Sequence, residues 1–384
     1  MSKPHHKQLL KGLEEEVYTG TLDGEIVGLS NQIADEMDGY ATEPDARNVE
    51  HTTDPTRDYD LLLQQLMHKR RLLRQWLTQH GDYTLVPGAT ISLGDADTFH
   101  ISRPENPYYQ YIRKTYGTNV VTASTHINVG IPDTEMLIRA TRVIRCEAAL
   151  WLALSATSPF LGGRATGFHS TRWRIFPHTP SDVPLFLSHA HYVGYVQAQL
   201  MTGVMRNIRH LWSSVRPNGT EAPEHVQRLE LRICDRVACP DELMALTALL
   251  EARIWQVIED DELDPMRRST LSPCTRAEQL RRIADENEQA VAVNSLDAEL
   301  RHWRDGKPIK AREWIEQLLE EVRPTAKAHG FCCGLDPLER LLTIGSVAQR
   351  WLADHAAGQS VQQIIHDAAE HAAEVDAVQK DTVC

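Results

Sequence analysis

Alternating apolar and polar side chains near residue 230 constrain the fold of this chain more than any other feature of its sequence. In Arg228-Leu-Glu-Leu-Arg-Ile-Cys234, leucine and isoleucine alternate with charged residues. Side chains two positions apart lie on the same face of a β-strand, so Glu230 and Arg232 share a face between apolar neighbours. Because a buried charge needs a partner, the pattern predicts a sheet with one polar, enclosed face.

The remaining elements favour an α+β fold. Further β-like runs are Leu13–Thr19, Arg47–Thr52, Tyr83–Leu93 and Val120–Gly130. Helical patterns are Tyr59–Gly81, Asp133–Ser158, Pro184–Val215, Asp241–Glu262, Arg276–Arg304, Ala311–His329, Pro337–Ala356 and Val361–Val378. Proline and glycine make Arg216–His225 a predicted loop. Since strands and helices do not alternate regularly, we expect an antiparallel sheet with helices packed on one side rather than a doubly wound parallel sheet.

The order of these elements predicts a sheet-containing core over residues 8–240, a helical part over 241–378 on the same domain, and a flexible tail at 379–384. The most apolar stretch, Ala148–Ala156, is about half the ~20 residues that a bilayer requires, so no membrane segment is expected. The N-terminus lacks an apolar signal core, which predicts a cytoplasmic protein. A net charge of −13 disfavours nucleic-acid binding.

Acidic residues occur at matching positions on other predicted strands. Glu14 and Glu16 share one face of the first strand, and Glu15 takes the other. Two carboxylates this close repel unless cations lie between them, and Mg²⁺ and Mn²⁺ prefer such oxygen ligands. Glu50 is a third candidate ligand. The alternative is an exposed acidic strand edge for the first pair and a surface charge for Glu50.

Other polar residues suit phosphate or carboxylate recognition. His126 and Asn128 share a strand face, where imidazole could ligate a metal or bond a phosphate oxygen; a satisfied core histidine is the alternative. Glu230 and Arg232 could bind metal and phosphate, or form a structural salt bridge. Arg172 could bind a substrate carboxylate through a bidentate fork, although its surroundings also fit a plain polar loop.

Several common catalytic motifs are missing from the sequence. It contains neither a P-loop nor a Gly-x-Gly-x-x-Gly that follows a strand. It also lacks His-Glu-x-x-His and Gly-x-Ser-x-Gly. A bound nucleotide would therefore have to be held by arginines and metal-bridged carboxylates.

Seven short motifs follow one another in a recognisable order: Gly12-Leu-Glu-Glu-Glu16, Glu50-His-Thr-Thr, Thr122-Ala-Ser-Thr-His126-Ile-Asn-Val-Gly130, Leu152-Ala-Leu-Ser-Ala-Thr-Ser-Pro-Phe160, Ala165-Thr-Gly-Phe-His-Ser-Thr-Arg172, Trp212-Ser-Ser-Val-Arg-Pro217 and Leu229-Glu-Leu-Arg-Ile-Cys-Asp235. Together they resemble the carboxylate–amine ligase group of the glutamine-synthetase-like superfamily. The closest resemblance is to the cyanobacterial-type glutamate–cysteine ligase, which the stretch Tyr108–Val121 also favours.

The resemblance implies a fold and a reaction. It implies an antiparallel sheet that forms a funnel, with helices outside and a helical C-terminal part. ATP is the implied co-substrate, with two or three Mg²⁺ ions, or Mn²⁺ as an alternative. The implied reaction joins the γ-carboxylate of L-glutamate to L-cysteine through a γ-glutamyl phosphate. Its products are γ-glutamylcysteine, ADP and phosphate, in the first step of glutathione synthesis.

The resemblance also assigns roles to individual residues. The implied metal ligands are Glu14, Glu16, Glu50 and Glu230. The implied catalytic residues are Arg232 and His126, and those for nucleotide or phosphate are Arg216, Arg232 and Asn128. The implied ligand of the glutamate carboxylate is Arg172. A different amine acceptor, a non-enzymatic scaffold and an oligomeric state remain open.

Overall fold

A computed structural model describes residues 8–220 and 222–378. Its strands are β1 Lys11–Thr21, β2 Tyr40–Thr42, β3 Asn48–Thr52, β4 Tyr83–Val86, β5 Thr125–Gly130, β6 Phe160–Leu161, β7 Arg164–Ala165, β8 Val215–Gly219, β9 Val226–Leu231, β10 Glu299–Arg301 and β11 Pro308–Lys310. Its α-helices are α1 Ser30–Glu36, α2 Tyr59–His80, α3 Pro107–Tyr116, α4 Thr134–Ser155, α5 Thr171–Ile175, α6 His189–Met201, α7 Pro240–Glu259, α8 Pro265–Arg268, α9 Arg276–Asn294, α10 Ala311–Ala328, α11 Asp336–Ile344, α12 Val347–Ala356 and α13 Val361–Ala377.

Seven of these strands form one antiparallel sheet, in the order β2-β3-β1-β5-β9-β8, with β4 also paired to β1. The long strand β1 is central, because its residues pair with β3, β4 and β5. The prediction of a mixed helix and antiparallel sheet fold is confirmed.

One hydrophobic core joins the sheet to the helices of both predicted parts. Helix α4, capped by the Asp133 side chain on the Met136 N–H at 2.7 Å, is buried along nearly its whole length. Its Trp151 belongs to the same buried cluster as Leu229 of β9 and Leu318 of α10. Burial of such side chains contributes about 25 cal/mol per Å² of apolar surface. Helices α7, α9, α10 and α11 therefore share this core with the sheet.

Glu15 lies on the face of β1 opposite Glu14 and Glu16, as the alternation predicts. There it forms a buried ion pair with Arg70. Arg70 of α2 donates from Nε to Glu15 Oε2 at 2.8 Å and from Nη2 to Oε1 at 2.5 Å. The same guanidinium donates to the carbonyls of Val237 and Ala238, directly before α7. This single arginine therefore fixes β1, α2 and the segment that leads into α7 relative to one another.

Two predicted segments around residue 215 were wrong. Within Pro184–Val215 the only α-helix is α6, since the chain turns at Gly203, where φ is +73°, and returns towards the sheet. The predicted loop Arg216–His225 contains most of β8. Pro217 is tolerated there because β8 is the last strand of the sheet, where a missing N–H costs no internal hydrogen bond.

Other predicted boundaries also differ. The predicted helix Arg276–Arg304 ends at Asn294, and β10 then pairs with β11. The predicted helix Pro337–Ala356 is two helices, because Gly345 has φ +90° and Ser346 caps α12. The predicted strand Tyr83–Leu93 ends at Val86. Elements that were not predicted are helices α1, α3, α5 and α8 and strands β2, β6, β7, β10 and β11.

Within residues 8–220 and 222–378, no helix is both long enough and apolar enough to cross a bilayer. The predicted domain boundary coincides with the start of α7 and stays a prediction. The tail predicted at 379–384 lies outside the described residues.

We predict that Arg70→Met lowers the free energy of unfolding by about 3–5 kcal/mol, because it leaves the Glu15 carboxylate buried without its charge partner. Urea denaturation followed by circular dichroism measures this loss. The matched control is Arg282→Met, since Arg282 is 60% exposed on α9 and should change stability by less than about 0.5 kcal/mol. Equal losses of stability from the two substitutions would contradict the stabilising role of the pair formed by Arg70 and Glu15.

Candidate active site

The register of the sheet brings the predicted acidic residues together. Glu14 on β1 lies opposite His126 on β5, and Glu16 lies opposite Glu50 on β3. Directly opposed residues on one face have Cβ atoms about 4.5–5.5 Å apart. These pairings therefore place one imidazole and three carboxylates on a single face of the sheet.

The first cluster consists of Glu14, His126 and Glu230. One ligand atom from each lies within 4.8 Å of the others. His126 Nδ1 is 3.2 Å from Glu14 Oε2 and 3.8 Å from Glu230 Oε1. Burial and the charge of Glu230 oppose ionisation of Glu14, but its interactions with His126 and the charge of Arg232 together lower its pKa. Two carboxylates and an imidazole form a donor set that suits Mg²⁺ or Mn²⁺.

The second cluster consists of Glu16, Glu43 and Glu50, again with ligand atoms within 4.8 Å of one another. Burial, and then the charges of Glu14 and Glu16, raise the pKa of Glu50 to about 7. Burial and the charges of Glu16 and Glu50 raise the pKa of Glu43 well above its usual value. Like charges packed this closely are unfavourable without a counter-ion, so this donor set fits a divalent cation.

Sequence reasoning missed Glu43. It lies in the short connection between β2 and β3, outside any alternating run. The usable signal is register: Ala41 pairs with Glu50, and Glu43 follows Ala41 by two positions, which favours the same face. That pairing could not be inferred from a three-residue strand.

Ser124 joins the two clusters. Its hydroxyl donates to Glu16 Oε2 at 2.7 Å and lies 2.9 Å from His126 Nε2. The other ring nitrogen of His126 faces Glu14 in the first cluster. The imidazole thus lies between the two carboxylate groups and is oriented by both.

Two arginines surround Glu230, whose side chain is fully buried. Arg216 donates from Nε to Glu230 Oε2 at 2.8 Å and from Nη2 to Oε1 at 3.1 Å, while Arg232 Nη1 donates to Oε1 at 2.5 Å. Burial opposes ionisation of Glu230, but the charges of Arg216 and Arg232 outweigh it and hold its pKa well below the usual range. The salt bridge considered from the sequence therefore exists, beside the predicted metal cluster.

Arg172 and Asn128 act on other site residues. Both terminal nitrogens of Arg172 donate at 3.0 Å to backbone carbonyls, those of Ile233 and Arg232. Two of its five N–H groups are therefore used by the backbone, while Nε makes no hydrogen bond within the described residues and the side chain lines the cavity. Asn128 donates to Glu14 Oε1 at 2.9 Å and accepts from Arg228 Nε at 2.9 Å. Asn128 thereby orients Glu14.

The two clusters face a cavity of about 400 Å³, a size typical of small-molecule sites. Its lining includes Glu14, Glu16, Glu43, Glu50, His126, Arg172, Arg216 and Arg232. Aromatic and basic side chains complete the wall, including Tyr108, Tyr109, Phe176, Trp212, Arg209 and Arg228. Thus carboxylates, arginines and aromatic side chains line the same cavity.

A family model described as Glutamate-cysteine ligase family 2 (GCS2) matches residues 10–374. The chain belongs to this family. The resemblance inferred from the ordered motifs is thereby confirmed.

Individual relatives of this chain have names that match the family. A Sorangium cellulosum protein named "Putative glutamate--cysteine ligase 2" is 30% identical over 64% of this chain and 62% of its own length. A Rubrobacter xylanophilus protein with a similar name is 29% identical over 68% of this chain and 67% of its own. The match thus spans about two thirds of these relatives.

Two solved structures have the same fold. The glutamate–cysteine ligase from Francisella tularensis in complex with AMP has a TM-score of 0.71 at 12% identity, over 98% of this chain and 91% of its own. A bifunctional glutathione synthetase from Pasteurella multocida has a TM-score of 0.75 at 16% identity, over 96% of this chain and 53% of its own. At these identities the likeness concerns the fold.

We predict that Glu43→Gln weakens one of two bound Mn²⁺ ions about tenfold or more, because it removes a carboxylate from one cluster and leaves the other cluster intact. Titration with Mn²⁺, with free Mn²⁺ followed by electron paramagnetic resonance, measures the number of bound ions and their affinities. The exposed Glu25→Gln is the control. Wild-type binding of both ions by the Glu43 variant would remove Glu43 from the site.

Proposed function

We propose that this chain joins the γ-carboxylate of L-glutamate to the amine of L-cysteine with hydrolysis of ATP to ADP and phosphate. The observation that carries the proposal is the pair of carboxylate clusters beside Arg232 in one cavity. Family membership supports a carboxylate–amine ligase, and the AMP complex of the Francisella structure supports a nucleotide as ligand. The product would be γ-glutamylcysteine.

Phosphoryl transfer explains why such a site is built mainly from charges. The γ-carboxylate attacks the γ-phosphorus of ATP, ADP leaves, and an acyl phosphate forms. The amine then attacks the acyl carbon and displaces phosphate. These steps depend on alignment and charge neutralisation more than on covalent help from the protein. Two or three Mg²⁺ or Mn²⁺ ions, when bound, would neutralise the phosphate oxygens.

Each side chain then has a role that follows from its contacts. Glu14, His126 and Glu230 would hold one cation, and the second carboxylate cluster another. Arg232 lines the cavity with its guanidinium already oriented by Glu230, so it would stabilise charge on the transferred phosphoryl group. Because Glu230 already orients Arg232, its guanidinium would not have to move during the reaction.

Three further residues act around this centre. Arg216 would support the phosphates through its fixed position on Glu230, and Asn128 would act through Glu14. Because both terminal nitrogens of Arg172 donate to the backbone at the end of β9, we assign it to positioning the Arg232 backbone. Arg228, at the cavity wall, is the better candidate for the glutamate carboxylate.

The direct test is release of ADP by the purified protein with ATP, Mg²⁺, L-glutamate and a panel of amines. We expect release to require both glutamate and cysteine, since the reaction needs an acyl acceptor to turn over. Release that requires glutamate with another amine would retain the ligase class and replace the acceptor. If no amine on the panel gives glutamate-dependent release of ADP, the proposal is contradicted.

We predict that Glu16→Gln lowers kcat by about a hundredfold or more with little change in stability, because it removes a carboxylate ligand of the cation that would neutralise the transferred phosphate. Glu15→Gln is the matched control one position away on the opposite face: it should lower stability and keep wild-type turnover per folded molecule. Glu230 is less informative, since its loss would leave two arginines buried without a partner. If Glu15→Gln and Glu16→Gln lost turnover equally, the assignment of Glu16 to the cavity face and Glu15 to the opposite face would be contradicted.

A further inference from the structure

A second cavity, larger than the first, lies on the side of the sheet that carries Glu15. Its volume is about 610 Å³, and its lining shares no residue with the cavity of the carboxylate clusters. It is enclosed by the end of α4, the start of α7 and the helices α11, α12 and α13. The proposed reaction makes no use of it.

Arg236 places a buried positive charge at the wall of this cavity. The side chain is 2% exposed and lines the cavity. Its Nε and Nη1 atoms are buried and make no hydrogen bond within the described part of the chain. Two nitrogens without hydrogen-bond partners make burial of this guanidinium costly, and burial lowers the pKa of Arg236 to about 10. Such a group indicates a missing anionic partner.

The neighbouring carboxylates cannot supply that partner. Glu15 and Asp376 are the acidic groups whose charges act most strongly on Arg236. Glu15 is engaged by Arg70, and Asp376 lies 2.7 Å from Arg74 Nε and 3.6 Å from Arg70 Nη1. Three arginines therefore share two carboxylates, and one positive charge remains in excess within this described network.

The rest of the wall restricts the chemistry of a ligand. Apolar side chains cover much of it, including Leu154, Val237, Ile344, Val347, Trp351 and Ile364. The carboxylates of Asp241, Glu242, Asp354 and Asp367 also line the cavity, together with Arg340 and Arg350. With Arg236, these side chains carry four negative and three positive charges, which disfavours a polyanion such as a nucleotide, whereas a single carboxylate could pair with Arg236 and place an apolar body against the wall.

We propose that this cavity binds a small amphipathic molecule with one carboxylate, which pairs with the guanidinium of Arg236. The ligand completes the buried charge network behind β1, and its apolar part fills the space between α7 and α11–α13. This site is separate from the proposed ligase reaction and does not depend on it.

Isothermal titration calorimetry of the full chain with hexanoate and hexanamide tests the proposal. The two probes have the same apolar tail, and only hexanoate carries a charge. We expect hexanoate to bind wild-type protein about ten- to a hundredfold more tightly than hexanamide, because only the carboxylate forms a charge-assisted hydrogen bond. Equal binding of the two probes, or no binding of hexanoate, would overturn the proposal.

Variants locate the binding site. Arg236→Met should weaken hexanoate about ten- to a hundredfold and should melt no lower than wild type, because it removes an unpaired buried charge. Arg236→Lys should retain part of the affinity, which provides a test if the methionine variant fails to fold. Arg228→Met alters the other cavity and should leave hexanoate affinity unchanged. Loss of affinity in Arg228→Met with wild-type affinity in Arg236→Met would place hexanoate in the other cavity and refute the proposal.

Discussion

The pairing register of β1 is the constraint on which the candidate site depends. Because side chains alternate along a strand, a shift of one residue would exchange Glu14 and Glu16 for Glu15 on the cavity face. The buried pair of Glu15 with Arg70 opposes such a shift, since the carboxylate would lose its partner. An interaction on one face of the sheet therefore fixes the composition of the other face.

The buried carboxylates of the two clusters in the candidate site differ in the positive charges that compensate them. In the first cluster, Arg216 and Arg232 neutralise Glu230 before any ligand binds. In the second, burial and like charges raise the pKa values of Glu43 and Glu50, and the charge of Arg232 offsets this only in part. Sites that store such repulsion are typical of functional centres, where a ligand supplies the missing charge. The second cluster is thus the part of the protein that most requires a cation.

Local patterns in the sequence predicted some features and not others. Period-two alternation identified the faces of Glu14, Glu15 and Glu230, because alternation is a property of the strand itself. Glu43 and strand β8 depend on pairing between distant segments, and in β8 the local signal of Pro217 even favoured a loop. The hydrogen bonds of Arg172 to the end of β9 likewise follow from tertiary packing alone, which no local pattern encodes.

The most direct measurement of the central claim is an anomalous difference map from crystals grown with Mn²⁺ and a non-hydrolysable ATP analogue. The account predicts one peak about 2.1 Å from ligand atoms of Glu14, His126 and Glu230, and another at the same distance from carboxylate oxygens of the Glu16 cluster. The analogue's γ-phosphate should lie between the peaks and Arg232. Peaks confined to other parts of the protein, with the analogue bound elsewhere, would contradict the account.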